Sequence, residues 1–291
     1  MFDVLVTGSI LYTGQDIIRD GYVYIKNGKV IDFGKAPVPE EYTFVNLVLG
    51  GTGRIIAPSL TAIIDAVSYP IRMKQPSLPE RLAFYEKLGV SEAVTLALPA
   101  VYEAHMAGIG HVIIEYTSLE LPNRLLAEVG GRYGLAYPAC KGESIASEAQ
   151  VVVPLEGEGC TGEGLVHVEG PSGSIGGEKV LALFRRLTYS RLEGDPLEES
   201  NRLRRAIGLG PARIEKGARA EITVYDVSRP PGMFLDYANV DIIEKIYVSG
   251  ARLETLLVGD SILVDQGEHL YIVEKHFSEA RRRGTRLLER R

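Results

Sequence analysis

The chain has 291 residues, a formal net charge of −6, 45% hydrophobic residues and 24% charged residues. At roughly 150 residues per domain this leaves room for about two domains, or one large barrel with additions, in a composition that is globular rather than disordered or fibrous. The acidic balance speaks against a nucleic-acid surface, no apolar run approaches the ~20 residues of a membrane span, and the start lacks the basic stretch of a signal peptide, so a cytoplasmic protein with no nucleic-acid or membrane partner is expected.

The first 57 residues read as strands. Residues 2–6 and 22–25 alternate and are β-rich. Asn27-Gly28 marks a type I′ hairpin turn, because both positions must take positive φ, and 30–33 is the return strand. A further strand is expected near 44–49. Gly50-Gly51-Thr52-Gly53 reads as another turn, and 54–57 as an extended run towards Pro58. At the other end, strands are expected at 221–227, 242–249, 252–258 and 262–265. An amphipathic, Arg-rich helix then spans 269–291, its cations suited to a helix C-terminus. Scarce Gln and Asn beside abundant Arg and Glu are a weak sign of a thermophilic source.

Between these ends the pattern changes to alternating strands and helices. Strands are expected at 60–65, 112–116, 133–137, 151–155 and 165–169. Helices are expected at 79–88, 121–129, 177–189 and 196–207. The stretch 92–106 is ambiguous, since an internal Pro99 costs a helix ~3 kcal/mol or more; a strand followed by a short helix is the other reading.

Several of these segments carry a resemblance. "FDVLVTGSILYTG…IRDGYVYIKNGKVIDFG", "RIIAPSL", "IGLGPARIEKGARAEITVYDV" and "VSGARLETLLVGDSILVDQGE", in that order, resemble the corresponding parts of the amidohydrolase superfamily, nearest the cytosine/purine deaminase and triazine hydrolase branch. The family's acidic Asp in the third segment is Glu221 here. The resemblance implies an α/β protein in which 1–57 and 209–268 make a composite β-sandwich, 58–208 a (β/α) TIM-like barrel, and 269–291 a terminal helix. It also favours a helix over 92–106. The middle holds about 150 residues, whereas a complete barrel takes ~250, so a truncated or incomplete barrel is expected.

The resemblance further implies a divalent metal held by a His-x-His at the end of the first barrel strand. Side chains at i and i+2 of a strand share a face, and the bound metal would generate a hydroxide nucleophile. In this sequence the two positions fall on Ile64 and Ala66, which cannot ligate, and Asp65 between them is expected to point away from the axis. Of the five histidines, His269 and His276 belong to the expected terminal helix. His105 reads as a packed interface residue, and His111 lies at the wrong end of its strand. The expectation is therefore no metal and no cofactor.

Other polar residues collect at the expected strand ends, where barrels keep their chemistry. His167, Glu169, Glu115 and Glu156 are candidate acid–base groups. Lys141, Ser172, Ser174 and Lys179 are candidates for an anionic part of a ligand, the last three near a glycine-rich turn that opens a helix. For Cys140 and Cys160 three readings stay open: a disulfide, two unrelated thiols or a thiol site. The leading expectation is a degenerate amidohydrolase relative that binds a small molecule. The alternatives are a hydrolase of non-peptide C–N bonds with a relocated site, and a structural or assembly subunit. A homodimer would cover the edges that an incomplete barrel leaves bare.

Overall fold

The computed structural model describes residues 3–69, 78–139, 151–154, 165–166, 175–176, 196–230, 233, 245–247 and 251–289. The chain is a mixed α/β protein with two principal sheets. The larger is built from both ends of the chain. The first piece supplies β1 (Asp3–Tyr12), β2 (Ile17–Lys26), β3 (Lys29–Lys35) and β4 (Leu47–Pro58). The second supplies β11 (Glu221–Asp226), β12 (Arg252–Val258), β13 (Ser261–Asp265) and β14 (Glu268–His269). They join in the order β14-β13-β12-β11-β4-β1-β2-β3, with β4 and β11 antiparallel along the seam from Ile222↔Pro58 to Asp226↔Arg54. Arg54 fastens that seam by bonding Asp226 at 3.0 Å and Glu254 at 2.5 Å.

The hairpin turn forms as its residues require, with φ of 50° at Asn27 and 71° at Gly28. The sheet curls so that this turn meets the chain entering β11: the Ala220 amide donates to the Gly28 carbonyl at 2.8 Å and the Val30 amide to the Ala218 carbonyl at 2.9 Å. The curl encloses an apolar core of Val4, Val6, Val23, Ile25, Ile56, Ile222, Val224 and Leu257.

The second sheet is parallel, in the order β5-β6-β7-β8. Its strands are β5 (Leu60–Ile64), β6 (Ile109–Glu115), β7 (Arg132–Ala139) and β8 (Val151–Pro154). Helices α1 (Leu78–Tyr85) and α2 (Val90–Met106) lie between β5 and β6, and α3 (Glu120–Val129) between β6 and β7. Further on come α4 (Pro196–Ala206) and the terminal helix α5 (Glu274–Glu289). Ala62, Ile64, Val112, Ile114 and Leu135 form one core with Leu96, Ala97, Ala100 and Val101 of α2 and Leu121 and Leu125 of α3. Along the outer edge of β5, Ser200 of α4 accepts the Thr61 amide at 2.8 Å, which satisfies a donor that the edge strand would otherwise leave bare.

Several sequence expectations change. Residues 50–53 are not a turn; they lie within β4, whose register against β1 shifts between Gly8 and Ile10. Gly50 takes a φ of 81°, so the glycines make a bulge inside a continuous strand. Pro99 does not break α2, because ten of its side chains, Pro99 among them, are buried, and each large one is worth ~1.5–3 kcal/mol. Within the expected strand at 242–249, Lys245–Tyr247 is a 3₁₀ turn. His269 belongs to β14, not to the terminal helix. Among the described residues, β9 (Leu165–Val166) does not extend the parallel sheet: it pairs antiparallel with β10 (Ile175–Gly176), residues that read as loop in the sequence.

Candidate functional site

β5 and β6 run parallel with Ile64 opposite Ile114, so the next residues, Asp65 and Glu115, fall side by side at the C-terminal ends of their strands. Strand alternation sends Ile64 and Ile114 into the helix-side core and the two carboxylates to the opposite face. The expectation that Asp65 turns outward is therefore corrected. Its neighbours Ile64 and Ala66 are the ones packed under the helices, each 0% exposed.

Two buried carboxylates at one spot repel each other and lose their hydration. A guanidinium resolves this. Arg81 donates from Nε to Glu115 Oε1 at 2.8 Å and from Nη2 to Oε2 at 2.9 Å, a two-pronged pair of the strong, planar kind. Its Nε also lies 3.6 Å from Asp65 Oδ2. One helical turn further along α1, the Tyr85 hydroxyl lies 2.8 Å from Glu115 Oε1 and 3.0 Å from Asp65 Oδ1. The Ser68 amide donates to Asp65 Oδ1 at 2.9 Å, and its hydroxyl donates to Oδ2. Arg81 is 8% exposed, Asp65 3%, Tyr85 1% and Glu115 0%, so the centre is sealed from bulk water.

Proton affinities follow from this arrangement. Burial, and next the Glu115 charge, push the Asp65 carboxyl up to about 7 against the pull of Arg81. Burial and then the Asp65 and Glu115 charges hold the Tyr85 hydroxyl well above its ordinary range. For Arg81, burial opposes the charge, but the Glu115 bond and charge outweigh it and raise its affinity for the proton. The Tyr85 hydroxyl carries one proton and acceptor lone pairs, so a neutral Asp65 can donate to it while it donates to Glu115.

The donor set does not fit a divalent metal. Both carboxylates are engaged by Arg81, Tyr85 or Ser68, and a second cation would sit against the guanidinium. Ile64 and Ala66 offer no donor, and His111 lies four residues back along β6, roughly 13 Å away at ~3.3 Å per residue. Among the described residues no group of three or more His, Cys, Asp and Glu side chains is placed to hold a metal ion.

Of the candidates named from the sequence, Glu115 is the one that the described residues contain, and it is at the heart of this centre. Glu156, His167, Glu169, Lys141, Ser172, Ser174, Lys179, Cys140 and Cys160 lie outside the described residues, as does the expected helix at 177–189. Arg81, Tyr85 and Ser68 were not foreseen. Arg81 and Tyr85 stand at i and i+4 of a helix that follows a strand ending in Asp, and that spacing puts them on one face.

A separate cavity of about 510 Å³ opens between α2 and α5, lined by Tyr69, Pro99, Tyr102, Phe277, Gly284 and Leu288 among others. Its volume is in the range of small-molecule sites, and a Tyr69–Glu103 hydrogen bond lies at its polar end. Tyr69 follows Asp65 by four residues, so this cavity borders the loop that leaves the carboxylate centre.

No protein-family model matches the sequence, and no curated protein matches it. Solved structures do resemble the fold. Atrazine chlorohydrolase TrzN from Arthrobacter aurescens TC1, complexed with zinc, is 11% identical with a TM-score of 0.67, over 97% of this chain and 100% of that one. An adenosine deaminase from Xanthomonas campestris with bound zinc is 9% identical with a TM-score of 0.59, over 99% of each. An amidohydrolase from Brucella melitensis is 10% identical with a TM-score of 0.57, over 98% of this chain and 99% of that one.

Proposed function

Starting from an amidohydrolase-superfamily fold, we propose that this chain has left metal-dependent hydrolysis and acts as a small-molecule-binding relative. One observation carries the reading: on the face where strand-end ligands would stand, Asp65 and Glu115 are already engaged by Arg81, Tyr85 and Ser68, while Ile64 and Ala66, the positions that the family resemblance assigns to a His-x-His, are packed in the helix-side core. No single substitution to histidine in that core would restore a rim ligand. The division into a composite β-sandwich (1–57 and 209–268), a shortened barrel (58–208) and a terminal helix (269–291) belongs to the same proposal, as does a homodimer that covers exposed edges. The cavity between α2 and α5 is the place proposed for the ligand.

The test is elemental analysis of the purified protein, with turnover assays on triazines, aminopurines and cyclic amides, with and without added zinc. Substoichiometric metal and no turnover are expected. One zinc or iron per chain, or zinc-dependent turnover, overturns the reading.

A second reading is a C–N hydrolase with a relocated site. It is favoured by the Asp65 carboxyl lifted to about 7 beside Glu115, since an acid that titrates near neutrality suits proton transfer. Metal-independent turnover that disappears in Glu115→Gln and His167→Ala would select it.

A further inference from the structure

The carboxylates of Asp65 and Glu115 end adjacent parallel strands on one face, both buried. Burying such a pair is costly, and positive charge inside the same enclosure offsets that cost. In this chain that charge is covalently attached: the Arg81 fork reaches both Glu115 oxygens, and its Nε faces Asp65.

We propose that the Arg81 guanidinium is the resident cation of this strand-end centre, a side-chain replacement for a divalent metal ion, with Asp65 and Glu115 as its ligand pair. This deepens the reading above and rests on it. Three features support it. The guanidinium comes from α1, in the connection that leaves β5, so the same segment that ends in Asp65 also delivers the counter-charge. Arginine stays protonated at every accessible pH, unlike lysine, and its planar fork matches a carboxylate edge. Tyr85, from the next turn of the same helix, spans both carboxylates, so one helix face supplies all the bonds between α1 and the pair. A divalent ion can gain these oxygens as ligands only when the guanidinium leaves.

The experiment compares wild type, Arg81→Ala and the double variant R81A/E115Q, each stripped with a chelator and titrated with Co²⁺. Binding is read by calorimetry and by the visible absorption of the bound ion. The wild type should take up no stoichiometric Co²⁺. R81A should bind one equivalent about 100-fold more tightly than wild type or better, and R81A/E115Q should lose that gain. Methylguanidinium, the missing side-chain head, should raise the Tm of R81A and leave that of wild type unchanged. A folded R81A that gains neither Co²⁺ affinity nor methylguanidinium stabilisation overturns the proposal. So does an R81A chain that stays unfolded with either cation supplied, or a Co²⁺ gain that survives E115Q. Zinc found in the wild type and retained in Glu115→Gln would instead sink the reading of a lost metal centre, and the R81A comparison would still decide the role of Arg81.

Discussion

Asp65 sets the charge of the strand-end centre. With its carboxyl pushed up to about 7 by burial and by Glu115, the folded chain binds a proton that the unfolded chain, near the ordinary ~3.9, releases. A raised carboxyl stabilises in full below the unfolded value, and its contribution is lost as pH rises through about 7. Asp65→Asn is neutral at every pH, so it should flatten this slope. Urea midpoints measured from pH 4 to pH 8 should fall with pH in wild type relative to the variant; parallel curves would contradict the assignment. Asp65 was legible as the residue ending the first parallel strand, but its direction was not. An alignment to a His-x-His motif assigns the faces one way, whereas the actual pairing with β6 puts Asp65 beside Glu115. The partner Arg81 follows a segment of undistinguished composition, and only its i, i+4 relation to Tyr85 hinted at a shared inward face.

At the scale of elements, β14 and α2 meet through two imidazoles. His105 Nδ1 lies 2.9 Å from His269 Nε2, and His269 Nδ1 accepts the Tyr271 and Ile272 amides at 3.1 and 3.0 Å. Because both amides are donors, Nε2 of His269 carries the proton and gives it to His105. The two imidazoles stack on each other, Tyr102 and Tyr133 pack against them with tilted rings, and the charge of His276 disfavours protonation of His269. Burial, and then the facing His269, lower His105 to about 3; burial, and then His276, lower His269 to about 4. Here the unfolded chain binds the extra protons, so stability falls as pH drops below the ordinary ~6.5. For fully buried His105 the loss is about 2–3 kcal/mol between pH 6.5 and 4.5. Hydrogen exchange should show the chain around β14 and the start of α5 opening faster at pH 4.5 than at pH 7, with the difference reduced in His105→Leu. Protection independent of pH would contradict this. His105 was readable as a buried interface residue from its helical stripe. His269 was not, since a two-residue strand before an amphipathic helix has no periodicity of its own. The bulge in β4 was hidden for a similar reason: four residues rich in glycine look like a turn unless β1 is known to pair on both sides of them.

For the molecule as a whole, Glu221 ties the two sheets together. Arg132 of β7 bonds it at 2.5 Å and Arg204 of α4 at 2.7 Å, and Arg204 also donates to Thr61 of β5 at 3.1 Å. The opposing guanidiniums outweigh burial and hold the Glu221 carboxyl below its usual range. Glu221→Ala leaves two cations facing each other in a confined space, and a loss of about 3 kcal/mol is expected, read as a lower urea midpoint; a change under about 0.5 kcal/mol, the size of an ordinary surface substitution, would contradict the joint. The individual strands at both ends were legible from local turn chemistry such as Asn27-Gly28, but their joining into one β unit came from the family resemblance, because turn chemistry does not name a distant partner. The parallel sheet was legible through its first four strands from their spacing. The pairing of Leu165–Val166 with Ile175–Gly176 was not, since a short apolar stretch next to glycine does not reveal its partner.

The seam between β4 and β11 also governs how the polypeptide is made. The β4 edge leaves the ribosome bare, and about 160 residues must be translated between Pro58 and Glu221 before its mate arrives. At ~5–20 residues per second that edge waits on the order of ten seconds or longer, an interval in which a holding chaperone or a fast-forming parallel sheet decides between completion and clumping.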